Sequence, residues 1–186
     1  MLINNSKYLE KKISTNIAYI GSFFEVRKDR VKLSDNTETS REYIIHPGAA
    51  AIVAKTANNN LIMVKQFRYP LQETFIEIPA GKLNFQEQQI DSLATAKREL
   101  AEETGYQAKY WEQIGIAHPC IGYSNEIIYY YSAFGLVKED ANPDFGEIVD
   151  PIEMKIEDVI NFIKNGKITD SKTITGIFLA QQNGFI

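Results

Sequence analysis

Apolar runs and the polar breaks between them divide the chain into strands followed by helices. Two short apolar runs, "AAAIVA" from Ala49 and "LIMVKQF" from Leu61, flank the polar stretch "TANNN", the pattern of a hairpin. Their near-continuous apolarity predicts burial on both faces. "TFIEIPAGK" reads as a strand that stops at Pro79, because proline cannot donate to a ladder. A loop follows, and the next helix is predicted to start at Asp91 as N-cap and run to Thr104, with Gly105 as its stop. Its apolar side is read as Leu93, Ala94, Ala96, Leu100 and Ala101, although so many alanines do not single out one stripe. "EQIGIA", "EIIYYYSAFGLV" and "DPIEMK" are further strands, the first two separated by the loop "HPCIGYSN". "IEDVINFIKNG" and "DSKTITGIFLAQQNG" are helices that close near a glycine. Upstream, residues 16–46 hold β-formers broken by the turn-like "SDNTET", a small strand-rich arm. Strands in the middle and helices around them predict a layered helix–sheet–helix domain.

Composition narrows the function classes. The 186 residues suit one domain with a proper core, or a domain with a small appendage. With 24 acidic and 20 basic residues the net charge is -4, which gives no global basic field for a nucleic-acid backbone. Cys120 cannot form an internal disulfide, and with only His46 and His118 beside it a Cys/His zinc site is nearly excluded. Any metal must then be held by oxygen. The start "MLINNSKYLEKKIS" lacks a secretory apolar core, and no window approaches the roughly 18 apolar residues of a membrane span. The expectation is a soluble cytoplasmic protein with neither nucleic acid nor membrane as partner. His46 and His118 read as structural hydrogen-bonders, Cys120 as packing, and Tyr129, Tyr130 and Tyr131 as strand residues alternating between faces.

The stretch "RELAEETGY" changes the picture. Glu99, Glu102 and Glu103 share one helix face, and each like-charged pair there costs a few tenths of a kcal/mol. Two readings explain such crowding. A hard divalent cation could sit opposite the acids, with carbonyls of the neighbouring "IPAGK" as extra ligands. Alternatively, the acids form a solvated face paired with Arg98 and Lys97.

"GKLNFQE" from Gly81 and "RELAEETGY" from Arg98 resemble the two halves of the Nudix hydrolase box. The second half matches at every fixed position. Ten residues, 88–97, separate Glu87 from Arg98, more than the box usually has. Either the connecting loop is lengthened, or the register places Ile90 where the first box Glu should stand; the lengthened loop is preferred. "REYIIHPGAAAIVA", "VKQFRYPLQETFIEIPAGK", "HPCIGYSNEIIYYYSA" and "FIKNGKITDSKTI" are similar to the ADP-ribose pyrophosphatase branch, so the likeness runs over roughly residues 17–180. It implies an α+β fold, the Nudix α/β/α sandwich with a mixed sheet, plus an N-terminal antiparallel strand arm. Residues 1–45 would be that arm, serving dimerisation and the substrate pocket, and 46–186 the hydrolase domain. It also implies a homodimer.

The resemblance further implies residue roles. The Ala80 carbonyl and the carboxylates of Glu99 and Glu103 would hold Mg²⁺, or alternatively Mn²⁺, with Glu102 as a further ligand and Arg98 orienting the cluster. The general base would be Glu147, with Asp144 and Asp150 as rivals. Arg68, Glu77 and Glu126 would contact a nucleoside diphosphate sugar, a guanidinium suiting phosphate and a carboxylate a ribose hydroxyl. The expected reaction is Mg²⁺-dependent hydrolysis of ADP-ribose to AMP and ribose 5-phosphate. Alternatives are the same chemistry on GDP-mannose, and a non-catalytic sensor that binds ADP-ribose.

Overall fold

The run from Ala49 to Ala54 forms the centre of the main sheet, and its residues alternate between two cores. The structure is a computed structural model and describes residues 6–84, 91–139 and 148–186. It contains two compact units, Met1–Pro47 with Cys120–Glu126, and Gly48–Pro119 with Ile127–Ile186.

In the first unit, β1 (Lys11–Ile20), β2 (Glu25–Lys32) and β3 (Glu38–Ile45) form an antiparallel meander. The expected turn joins β2 to β3. Its Asp35 carboxylate accepts from the Thr37 amide at 2.9 Å, and Asn36 takes a left-handed φ of 71°. Strand structure begins at Lys11, earlier than the arm read from residue 16; every residue of β1 is exposed, so no burial pattern marks it. The segment Cys120–Glu126 docks on the end of β3, where the Ile44 amide donates to the Tyr123 carbonyl at 2.8 Å.

The second unit holds β4 (Ala49–Lys55), β5 (Asn60–Arg68), β6 (Glu73–Glu77), β7 (Ala80–Lys82), β8 (Tyr106–Ala117), β9 (Ile128–Lys138) and β10 (Val149–Lys155). The strand order is β10-β5-β4-β9-β8, with β6 on β5 and β7 on β4. Strands β4 and β9 run parallel and the other pairs antiparallel, a mixed sheet. Its helices are α1 (Ser92–Thr104), α2 (Ile156–Lys164) and α3 (Ser171–Gln182). Ala51 and Val53 pack with Tyr130, Val159 and Ile177 on the α2/α3 side. Ala50, Ile52 and Ala54 pack with Ala96, Leu100 and Tyr131 on the α1 side. The period-2 alternation of β4 thus feeds both layers of an α/β/α sandwich. Among the described residues, no helix is long and apolar enough to cross a membrane.

The β4–β5 hairpin pairs only at Ala54 with Ile62 and Lys55 with Leu61. Farther from its turn, β5 takes β6 as partner and β4 takes β7. The Ile78-Pro79 corner between β6 and β7 therefore lies where the hairpin splits, and the Ile52 amide donates to the Pro79 carbonyl at 2.9 Å.

Helix α1 begins and ends as its sequence implies. Asp91 caps it by accepting from the Ala94 amide at 2.9 Å, a contact worth about 1 kcal/mol. Gly105 closes it in a left-handed conformation at φ 68°. The apolar stripe needs correction: Ala94 is exposed, and the buried side carries Thr95, Glu99, Glu103 and Thr104 beside Ala96 and Leu100. Strand β8 also starts at Tyr106, directly after the cap, rather than at Glu112.

Candidate active site

Two carboxylates are buried where α1 meets the β6–β7 corner. Glu99 is 8% exposed and Glu103 5%, one helical turn apart on the sheet-facing side. Glu103 accepts from the Ala80 amide at 3.0 Å, which ties the helix to the start of β7. Glu99 lies against Gly81 so closely that a β-carbon there would fall 1.8 Å from its carboxyl carbon. Only glycine leaves that space.

The outer edge of the cluster is cationic. Arg98 donates to Glu99 at 2.5 Å and also to Glu102, its neighbour at i,i+4. Partial burial pulls the Arg98 pKa down, but the negative charges of Glu99 and Glu102 outweigh it and hold the guanidinium above its ordinary value. The two readings of the acidic helix are thus both visible: Arg98 pairs with half-buried Glu102 and with buried Glu99, whereas buried Glu103 meets the Ala80 amide.

A second charged group adjoins the corner. Glu77, at the end of β6, is 2% exposed. Arg68 grips it side-on, Nε at 2.7 Å and Nη2 at 2.6 Å, and Lys172 of α3 donates to the same carboxylate. Lys172 also donates to Asp170 at 2.9 Å. Burial pushes the Glu77 carboxyl up, but the hydrogen bonds and charges of Arg68 and Lys172 outweigh it and hold it below the usual range. Asp170 is held low in the same way, burial opposing it and Lys172 and Thr173 prevailing. Arg68, Glu77, Asp170 and Lys172, with Leu71 and Phe75, line a cleft of about 530 Å³. The charge of Glu103 contributes to raising the Arg68 pKa, so both groups share one electrostatic neighbourhood.

The described residues therefore bring Ala80, Arg98, Glu99, Glu102 and Glu103 to one corner and Arg68 and Glu77 to the adjoining cleft. Glu126 lies in the first unit, 3.5 Å from His46 Nδ1. Asp150 is exposed within β10, opposite Lys65. Glu147, Asp144 and Glu87 lie outside the described residues. Lys172, Asp170 and Thr173 went unnoticed in the sequence, although the stretch "KITDSKT" that carries them is part of the resemblance.

Breaking the buried pair tests how far it holds the corner. Glu77→Gln is expected to lower unfolding free energy by about 1–2 kcal/mol in urea at pH 7, because Arg68 loses its counter-charge at a partly exposed position while Lys172 keeps Asp170. Glu77 and Asp170 are both depressed below ordinary values of 4.5 and 3.8. Their contribution is thus complete above those values and is lost as pH falls through the lower folded-state ones. The acid limb of the stability curve should be shallower in Glu77→Gln, and an unchanged limb would deny Glu77 that role.

The sequence matches the NUDIX domain family over residues 45–175, more than half of the chain. The chain belongs to the NUDIX domain family. It is 39% identical over 170 residues to the methanol dehydrogenase activator of Bacillus methanolicus, covering 90% of each chain. It is 36% identical, again over 170 residues and 90% of each chain, to the ADP-ribose pyrophosphatase of Bacillus subtilis (strain 168). The crystal structure of an ADP compounds hydrolase superposes with a TM-score of 0.79 over 95% of this chain and 97% of that one, at 15% identity, which shows a common fold.

The donor set at the corner suits the divalent metal that the family resemblance implies. It consists of oxygen alone, two buried carboxylates, a third half-buried one and the backbone of Ala80, the hard ligands that Mg²⁺ and Mn²⁺ take. Among the described residues, no group of three or more acidic, His or Cys side chains is placed to hold a metal ion by itself. Mg²⁺ does not demand one, since it is commonly held by one or two carboxylates and completed by substrate phosphates and water.

Proposed function

We propose that this Nudix pyrophosphatase hydrolyses ADP-ribose to AMP and ribose 5-phosphate in a Mg²⁺-dependent reaction, Mn²⁺ being an alternative ion. The observation that carries the reading is the burial of Glu99 and Glu103 against the Ala80-Gly81 corner, beside a cleft walled by Arg68 and Lys172. The similarity to the Bacillus subtilis pyrophosphatase supports the choice of substrate.

Ala80, Glu99 and Glu103 would hold the metal, with Glu102 as a further ligand. When bound, the metal supplies neutralisation of the pyrophosphate charge and acidifies the water beside it. Arg98 keeps Glu99 and Glu102 oriented through its two ion pairs. Arg68, its guanidinium plane fixed by Glu77 and its side chain 41% exposed, donates hydrogen bonds to a substrate phosphate. Glu77 orients that guanidinium, and Glu126 meets the sugar end of the substrate. Glu147 takes the proton of the attacking water as the new P–O bond forms and the phosphoanhydride bond breaks. The leaving phosphate departs with the electrons of the broken bond as an oxyanion, and Glu147 then gives its proton back to solvent.

Homodimerisation through the N-terminal arm belongs to the same reading. Ile13, Ile17 and Tyr19 of β1 are 45%, 48% and 55% exposed, an apolar surface that a second copy would cover. Sedimentation should give twice the monomer mass of 21.1 kDa, and a fully active monomer would remove the shared pocket.

Turnover of ADP-ribose, GDP-mannose, ADP-glucose and NADH with Mg²⁺, resolved by ion exchange, tests the reaction. AMP release with ADP-ribose best by kcat/KM is expected. Preference for GDP-mannose would move the activity to that alternative, and binding of ADP-ribose with no cleavage would favour the sensor. The relative named methanol dehydrogenase activator favours a second reading, stimulation of a dehydrogenase partner. Adding the chain to purified methanol dehydrogenase and measuring its rate decides that point separately.

A further inference from the structure

We infer that the start of α3 positions the Ala80 carbonyl, with Thr173 as the positioning residue and Asp170 as its anchor. The inference rests on the reading above in which Ala80, Glu99 and Glu103 hold a divalent cation. At the split in the hairpin the Ile78 amide turns to a side chain from 95 residues away, donating to Thr173 Oγ1 at 2.9 Å. Thr173 is fully buried, and its hydroxyl donates in turn to Asp170 Oδ2 at 2.7 Å. The hydroxyl proton is thus committed to Asp170 and a lone pair to Ile78, which fixes the rotor.

Asp170 also accepts from the Thr173 amide at 3.0 Å, an N-cap contact. Capping accounts for that bond alone. It does not account for the incoming bond from Ile78, nor for Lys172 reaching from Asp170 to Glu77 on the preceding residue of the same corner. Three elements therefore hold successive residues: α3 holds the Ile78 amide, β4 the Pro79 carbonyl, and α1 the Ala80 amide through Glu103. Loss of the first leaves a buried N–H without an acceptor. The corner then keeps two of its three anchors, at Pro79 and Ala80, and with the first lost the Ala80 carbonyl is held less firmly where a ligand would stand. This is the second layer that metal sites use to aim their ligands.

The test reads metal binding without turnover. Free Mn²⁺ is counted by electron paramagnetic resonance in titrations of wild type, Thr173→Val and Thr173→Ser, with folding checked by circular dichroism and Glu103→Gln as the control that should lose the site. Thr173→Val is expected to bind Mn²⁺ about tenfold more weakly, and Thr173→Ser, which keeps the hydroxyl, close to wild type. A folded Thr173→Val with wild-type binding overturns the inference, as does a Thr173→Ser that is as weak as Thr173→Val. Should Thr173→Val not fold, Asp170→Ala, which removes the acceptor of the Thr173 hydroxyl, carries the test: weakened Mn²⁺ binding supports the inference and unchanged binding overturns it. Wild type that binds Mn²⁺ but cleaves no sugar nucleotide would sink the assigned reaction and leave this inference standing. Wild type without Mn²⁺ binding would sink both.

Discussion

Glu103→Gln is expected to lose more than about 100-fold in metal-dependent kcat while melting close to the wild-type temperature. Residues that merely support metal ligands commonly cost about 10- to 100-fold when replaced, so loss of a ligand should exceed that range. The fold should survive because the contact Glu103 makes with the corner does not need its charge. Its Oε2 accepts the Ala80 amide at 3.0 Å, and the amide oxygen of Gln accepts the same bond at the same length. What disappears is negative charge in a place 5% exposed, where little solvent screens it from a cation. Activity with a Mg²⁺ titration, beside a thermal melt, checks both halves. Full turnover in the variant would take the box out of the mechanism, and a collapsed melt would make Glu103 a structural acid.

The parts of this fold that local chemistry controls were legible in the sequence. Asp91 and Gly105 delimit α1 because a cap and a left-handed stop act on their own neighbours. The apolar run at Ala49–Ala54 gave β4 for the same reason, its two-sided burial being written in consecutive residues. Legibility ended where partners decide. Ala94 and Ala96 are the same residue type two positions apart, and only the sheet tells that the first faces solvent and the second the core. Strand β1 buries nothing, so its sequence carries no alternation to read.

The site divides along the same line. The acids of α1 were visible as an unfavourable pattern, but the pattern alone did not separate Glu99 and Glu103, which are buried, from Glu102, which is half-buried. The resemblance to the Nudix box set Glu102 apart only as a further ligand and said nothing of burial. Lys172 and Thr173 are joined to Glu77 and Ile78 across 95 residues of chain, a distance over which spacing has no meaning and only folding supplies the contact.

Gly81→Ala should separate activity from stability most sharply. Gly81 is absent from the residues with left-handed backbone, so alanine meets no penalty from φ. The nearest conflict is with Glu99: an added β-carbon would lie 1.8 Å from both its carboxyl carbon and Oε1, and 2.4 Å from Cγ. These atoms form the end of a flexible side chain, which can swing aside at small cost. The melt should therefore shift little. Yet the atom that must move is the carboxylate proposed as a ligand, and its displacement should lower kcat at saturating ADP-ribose by about 10- to 100-fold and raise the Mg²⁺ needed for half-activation. Arg98 supplies the destination, since it already donates to Glu99 at 2.5 Å and its charge can retain the displaced group. Glycine at this corner would then serve chemistry rather than folding. An active Gly81→Ala with unaltered Mg²⁺ dependence would show that Glu99 tolerates displacement and does not ligate, and an inactive variant that had also unfolded would return Gly81 to a packing role.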